Sequence, residues 1–286
     1  MPDRSRPEHI TAPFDGYSLA GRFRWSPGQH CRLLAIHGAR SDHRRLDPLL
    51  SPLQAAGVGS LGIDLSGHTE HSPLANTDSS LGTNLREVLR FAELLHTRLD
   101  TVFGHSLGGA LAMKLAQQRR QTVRTLVLSG PALYPEAAYA VARYGPAFTR
   151  AISTPFGFMD SSSLPFLRNF AGHVVLVVGE YDGLPAEQHG GVRGRSAGLV
   201  EVRDGAGACR TVYSPIPAEV FDAIRDAASG RLSEIVLEGC DHKTFSHLAE
   251  HPAAAAALAR ALVHTMNGGA QARCCRIATD GAVRPG

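Results

Sequence analysis

The chain has 286 residues, 43% of them hydrophobic and 19% charged, which is enough apolar material for one continuous core. Its formal net charge is only +3 and the basic residues are scattered, so the pattern excludes a concentrated nucleic-acid footprint. No apolar run has the length of a signal peptide or a bilayer span, and the cysteines (Cys31, Cys209, Cys240, Cys274 and Cys275) have neither a C-x-x-C pair nor metal-ligand spacing. These features predict a cytoplasmic chain that needs no membrane, no nucleic acid and no metal.

Short β-rich runs alternate with stretches of helical period. In chain order the expected strands are Leu33–Ile36, Val58–Ile63, Thr101–Phe103, Thr125–Leu128, Val174–Val178 and Glu234–Leu237. Between and after them the period predicts helices over Leu46–Ala56, Leu81–Leu95, Gly108–Arg119, Pro217–Ala228 and Ala253–Met266. In the second helix Leu85, Val88, Leu89, Ala92 and Leu95 recur every three or four positions, so one face is buried. This alternation predicts an α/β fold with a mostly parallel central sheet and helices on both faces.

Two segments interrupt it. Pro131–Gly172 (131–172) is strand-poor and carries many aromatic residues, which suits a small lid with an apolar inner face. The insertion over Gly183–Ser214 (183–214) is rich in Gly and Arg, with a possible hairpin turning at Asp204–Gly207 between Leu199–Val202 and Thr211–Tyr213. It reads as mobile and expendable. One domain is expected over 1–266, with 267–286 a disordered tail, because no apolar period follows Met266.

The most specific motif is Gly104-His105-Ser106-Leu107-Gly108, set between an expected strand and an expected helix. Glycines on both sides of a serine let the chain turn sharply enough to expose its hydroxyl at the sheet edge. The turn also aims the N-terminus of the next helix at the serine, so the Leu107 N–H is a candidate oxyanion donor. An activated serine needs a base and a carboxylate that orients the base, both downstream in this architecture. Asp182 follows the strand Val174–Val178, and His242 follows Glu234–Leu237. Glu180 is a rival for the acid, only two residues past the strand; Asp241 reads as a loop residue, and His105 as packing. A second oxyanion donor is expected after the first strand, at His37-Gly38-Ala39, from the Ala39 N–H.

On these residues the sequence resembles the α/β-hydrolase family over about residues 10–266. It has the family's early His-Gly turn at His37 and Gly38, its nucleophile elbow at Gly104–Gly108, a Gly-x-x-Asp at Gly179–Asp182 and a late histidine at His242. Asp64-Leu65-Ser66-Gly67-His68 is similar to the family's D-x-x-G-x-G-x-S turn, with Thr69 at the usual second glycine and Ser72 one residue late. Ile216-Pro217-Ala218-Glu219-Val220 looks like the helix start that often follows the acid directly, here displaced by the insertion.

The resemblance implies an α/β-hydrolase fold and a serine hydrolase with Ser106 as nucleophile, His242 as base and Asp182 as orienting acid. Such an enzyme would act on an ester or thioester of an apolar acyl or aryl group, small or carrier-bound, with no cofactor. The aromatic lid leads to Tyr134, Phe156 and Phe166 as substrate-binding residues, with Arg40 just past the oxyanion turn. Arg193, Arg195, Arg203 and Arg210 of the insertion read as solvated, with binding of an anionic substrate as the alternative. The same triad would serve an acyltransferase or cyclase, and the scaffold also serves lyases and non-catalytic binding proteins.

Overall fold

An Asp15-Gly16 turn, with positive φ at both residues (48° and 86°), opens the fold by joining β1 (Glu8–Phe14) to β2 (Tyr17–Arg24). Two successive left-handed residues give the tight antiparallel hairpin its twist. The sequence reading overlooked this pair, although the Asp-Gly signal was present. The structure is a computed structural model that describes residues 7–26, 31–95, 99–196, 198–203, 207–269 and 274–286. The six residues that open the chain lie outside that set, as do 204–206 of the expected hairpin turn and 270–273 of the expected tail.

The chain continues through β3 (Cys31–Ile36), α1 (Asp47–Ala55), β4 (Gly59–Ile63), α2 (Leu81–Leu95), β5 (Thr101–His105), α3 (Leu107–Gln118) and β6 (Thr125–Ser129). The lid follows as three short helices, α4 (Glu136–Ala140), α5 (Pro146–Ile152) and α6 (Ser163–Asn169), before β7 (His173–Gly179). The insertion comprises α7 (Ala186–His189) and an antiparallel pair, β8 (Gly198–Arg203) and β9 (Cys209–Ser214). Then come α8 (Ala218–Ala227), β10 (Leu232–Leu237), α9 (Thr244–Glu250), α10 (Pro252–Met266), β11 (Cys274–Ile277) and β12 (Val283–Pro285).

Among the described residues ten strands make one sheet, in the order β1-β2-β4-β3-β5-β6-β7-β10-β11-β12. The strands from β4 to β11 in that order pair in parallel, and antiparallel strands close both edges. The central strands β6 and β7 are apolar almost end to end because helices cover both of their faces. On one face the core gathers Phe91, Leu111 and Ile224; on the other it gathers Leu53, Phe103 and Leu262.

The order of the sheet reverses between β3 and β5, where the chain stops adding strands on one side and starts on the other. Loops at the carboxyl ends of strands diverge at such a point and leave a crevice. Register brings Ile36 level with Gly104 and His105 level with Ser129, so the β3 and β5 loops open at the same height.

One expectation needs correction. The stretch expected as a disordered tail (267–286) contains β11 and β12: Glu234–Leu237 of β10 pairs with Cys274–Ile277, and the Arg276 guanidinium is bonded to Glu180 and Glu238. A four-residue strand leaves no periodic trace, and only the tertiary edge of β10 makes it a strand. The insertion pairs the two strands expected there, within Gly198–Arg203 and Cys209–Ser214, and packs Val200 and Val212 against Leu184, Tyr181 and Val202.

Candidate active site

Ser106 sits between β5 and α3 with φ 53° and ψ −119°, a conformation costly for any residue with a side chain. Its neighbours explain how the turn is tolerated. A Cβ on Gly104 would lie 2.2 Å from the Gly108 carbonyl oxygen, and one on Gly108 would lie 2.3 Å from the Ile36 carbonyl oxygen. Only glycine therefore fits at both flanks, and the serine side chain is pushed out over the ends of β3 and β5. The Ser106 N–H donates to the Ser129 carbonyl (3.0 Å) and its own carbonyl accepts from Ala132 (2.8 Å), so the elbow is held on the β6 side too.

The serine hydroxyl is 2.9 Å from His242 Nε2, and His242 Nδ1 is 2.7 Å from Asp182 Oδ2. The three side chains named from the sequence are thus brought into one hydrogen-bonded chain. Asp182 is buried, and its other oxygen accepts the Gly183 N–H at 3.0 Å. Gly130 leaves room for this contact, because a Cβ there would lie 2.7 Å from Asp182 Oδ2 and 3.1 Å from His242 Nδ1.

The rival acid is engaged elsewhere. Glu180 accepts the Gly239 N–H at 2.9 Å and binds Arg276, which ties the acid loop to the histidine loop and to β11. Asp241 accepts the N–H groups of Tyr213 (2.9 Å) and Lys243 (2.8 Å), consistent with its reading as a loop residue. The His242 N–H donates to the Tyr213 carbonyl at 2.9 Å. Strand β9 of the insertion therefore carries the backbone on which the histidine loop hangs, a role the sequence reading did not foresee.

The His37-Gly38-Ala39 turn lies against the elbow, where a Cβ on Gly38 would come within 3.1 Å of Ser106 Cβ. His37 is fully buried; its Nδ1–H donates to the Gly38 carbonyl (2.7 Å) and its Nε2 accepts the Leu65 N–H (3.0 Å). Burial lowers its pKa, so the neutral ring acts as a strut between two turns. Leu107 opens α3, where the first N–H groups of a helix have no acceptor within it, and both Ala39 and Leu107 line the same cavity as Ser106. The variant turn after β4 works in a similar way: Ser72, one residue late, accepts the Gly67 N–H at 2.6 Å, and Thr69 faces the cavity.

That cavity, of about 1050 Å³, lies between the elbow, the lid and the start of α8. Tyr134 and Arg40 line it as expected from the sequence, together with Tyr144, Phe148, Ile152 and Phe158 of the lid. Phe156 and Phe166 do not, which corrects their assignment to substrate binding. Phe156 is 39% exposed beneath the Arg193 guanidinium, whereas Phe166 is buried against Phe170. Composition identified the lid but not which face of each short helix turns inward. His68 and Val220 also line the cavity and were missed. Of the four insertion arginines only Arg195 lines it; Arg193 approaches Glu219 (3.5 Å), Arg210 binds the Gly239 carbonyl (2.9 Å) and Arg203 is exposed. Among the described residues no His, Cys, Asp and Glu cluster could hold a metal ion, and no helix is long and apolar enough to cross a membrane.

Residues 29–158 match the family model described as serine aminopeptidase, S33. A probable serine hydrolase of Drosophila melanogaster is 26% identical over 168 residues, covering 56% of this chain and 48% of that protein. The chain thus spans about half the length of this curated relative. Solved structures share the fold at lower identity. Est1E from Butyrivibrio proteoclasticus with ferulic acid bound has a TM-score of 0.61 at 18% identity, covering 87% of this chain and 97% of that one. A monoacylglycerol lipase of Paleococcus ferrophilus has 0.59 at 19%, covering 87% and 98%, and the thioesterase domain from the curacin biosynthetic pathway 0.59 at 17%, covering 89% and 99%.

Proposed function

We propose that this chain, an α/β-hydrolase by fold and a serine hydrolase by type, cleaves an ester or thioester of an apolar acyl or aryl group through an acyl-Ser106 intermediate. The observation that carries the reading is the unbroken chain of hydrogen bonds from Asp182 through His242 to Ser106. His242 Nε2 takes the hydroxyl proton as Oγ attacks the carbonyl carbon, and Asp182 holds Nδ1–H so that Nε2 is free to accept. The Ala39 and Leu107 N–H groups receive the negative oxygen. As the tetrahedral species collapses, the bond to the leaving oxygen or sulfur breaks and His242 returns its proton there. Water, deprotonated by the same ring, then releases the acid and restores Ser106.

The acyl group belongs in the cavity beneath the lid, whose wall is built from Tyr134, Tyr144, Phe148, Ile152 and Phe158. Each methylene buried there adds about 0.8 kcal/mol until the space is filled. A series of p-nitrophenyl esters of increasing chain length tests this. The expected kcat/KM rises with chain length in the native protein and flattens in Phe148→Ala, whereas Phe156→Ala leaves the series as it is. A flat series in the native protein would place the acyl group elsewhere. Product analysis by mass spectrometry in the presence of alcohols and amines separates water from other acceptors, and water is the acceptor expected. An odd number of cysteines, none of them in a disulfide among the described residues, supports a cytoplasmic location, which fractionation of the source cells checks.

A further inference from the structure

Ser106 lies on two cavities, not one. The second, of about 740 Å³, is lined by Ser106, His105 and His242 but not by Leu107, whereas the aromatic cavity is lined by Ser106 and Leu107 but not by His242. Because the leaving group must receive its proton from His242, it belongs in the cavity that His242 lines, and the acyl chain belongs in the other. This assignment rests on the hydrolase reading above.

The second cavity differs from the first in charge. Of the two cavities, Arg44, Arg45 and Lys243 line only the second and Arg40 lines both, against one carboxylate in the second, Asp42. Asp42 is already occupied: it accepts the Arg44 backbone N–H (2.8 Å) and two guanidinium N–H groups (3.1 and 2.7 Å). Arg40, Arg45 and Lys243 form no ion pair with any described residue. Arg45 donates to Ser246 Oγ at 3.1 Å, and Lys243 Nζ lies 5.9 Å from the Tyr213 ring centroid. Three exposed cations, none of them in an ion pair with a described residue, therefore converge on the mouth of a cavity where the departing group must sit. From this we infer that the leaving group is an anionic thiol or alcohol, one that carries a phosphate some distance from the scissile bond. A phosphorylated pantetheine arm is such a group, whether free as coenzyme A or attached to a carrier protein. The phosphate would engage Arg45 and Lys243 while the sulfur lies at His242.

The test compares kcat/KM for hexanoyl-coenzyme A, the same hexanoyl thioester on a phosphopantetheinylated carrier protein, and hexanoyl-N-acetylcysteamine, which lacks phosphate. The inference predicts that at least one phosphate-bearing thioester exceeds the phosphate-free one by about tenfold or more at low salt, mainly through KM. The larger of the two identifies the source. That ratio should shrink severalfold at 0.5 M NaCl, as expected for exposed charges. It should also fall toward one in the Arg45→Ala/Lys243→Ala variant. As a second reading, coenzyme A should inhibit hydrolysis of a p-nitrophenyl ester more strongly than pantetheine does, and the variant should lose the difference. Equal kcat/KM for all three thioesters, or equal inhibition by coenzyme A and pantetheine, overturns the inference while leaving the hydrolase reading intact. No turnover of any ester and no labelling of Ser106 by a fluorophosphonate would instead remove the hydrolase reading itself.

Discussion

Asp182 and Glu180 stand two residues apart on one loop, and geometry separates their roles. Asp182 contacts the imidazole, and Glu180 contacts the Gly239 N–H and Arg276. Asp182→Asn keeps the shape but leaves Nδ1 facing an amide, so turnover of a p-nitrophenyl ester should fall by about a thousandfold or more. Glu180→Gln should change it by less than about tenfold. The reverse ranking would transfer the orienting role to Glu180. The sequence made these residues legible because each follows a recognisable strand end, and a strand end is a local signal. Phe156 and Phe166 were misassigned because an aromatic residue in a short helix gives no sign of whether it faces a cavity, the solvent or the core. Missing His68 has a similar origin. Its Nε2–H donates to Asn84 (2.9 Å), and that partner lies sixteen residues away on α2.

At the scale of elements, the long helices and central strands follow the periodicity closely, since a repeated apolar face is visible over ten or more residues. The N-terminal hairpin, the β11–β12 edge and the helices of the lid are short pieces whose conformation depends on what they pair with. The insertion is the most consequential case, because β9 bonds through Tyr213 to both Asp241 and His242. Joining Gly183 to Ile216 and deleting the hairpin should therefore lower kcat on p-nitrophenyl acetate at least about a hundredfold, as the imidazole loses its placement. Asp241→Ala, which removes only the acceptor for the Tyr213 N–H and its neighbour, should lower kcat less while leaving the fold in place. Full small-ester activity after removal of the hairpin would show that the histidine loop holds itself, as the glycine-rich sequence suggests.

Across the whole molecule, three histidines around the crevice at the switch between β3 and β5 have depressed pKa values. Burial lowers the pKa values of His37 and His105, and it takes His68 from the usual 6.5 to about 4. The unfolded chain takes up protons at these rings below pH 6.5, whereas the folded chain does not until much lower pH. Their contribution to stability is thus complete above pH 6.5 and is lost as the pH falls, with His68 alone worth on the order of 3 kcal/mol by pH 4. Asp42 and Asp64, whose pKa values are depressed by Arg44 and His43, act in the same direction at lower pH. The urea midpoint should accordingly hold above about pH 7 and drop as the pH falls through 6.5 to pH 5, and a constant midpoint would mean that these rings take up protons in the fold as readily as in the unfolded chain. All of these features converge on the exposure and activation of one hydroxyl. The measurement that tests it most directly is intact-mass and peptide mass spectrometry after treatment with a fluorophosphonate. One adduct on the peptide containing Ser106 is predicted, absent from a folded Ser106→Ala variant; an unlabelled protein, or an adduct on another residue, would contradict the account.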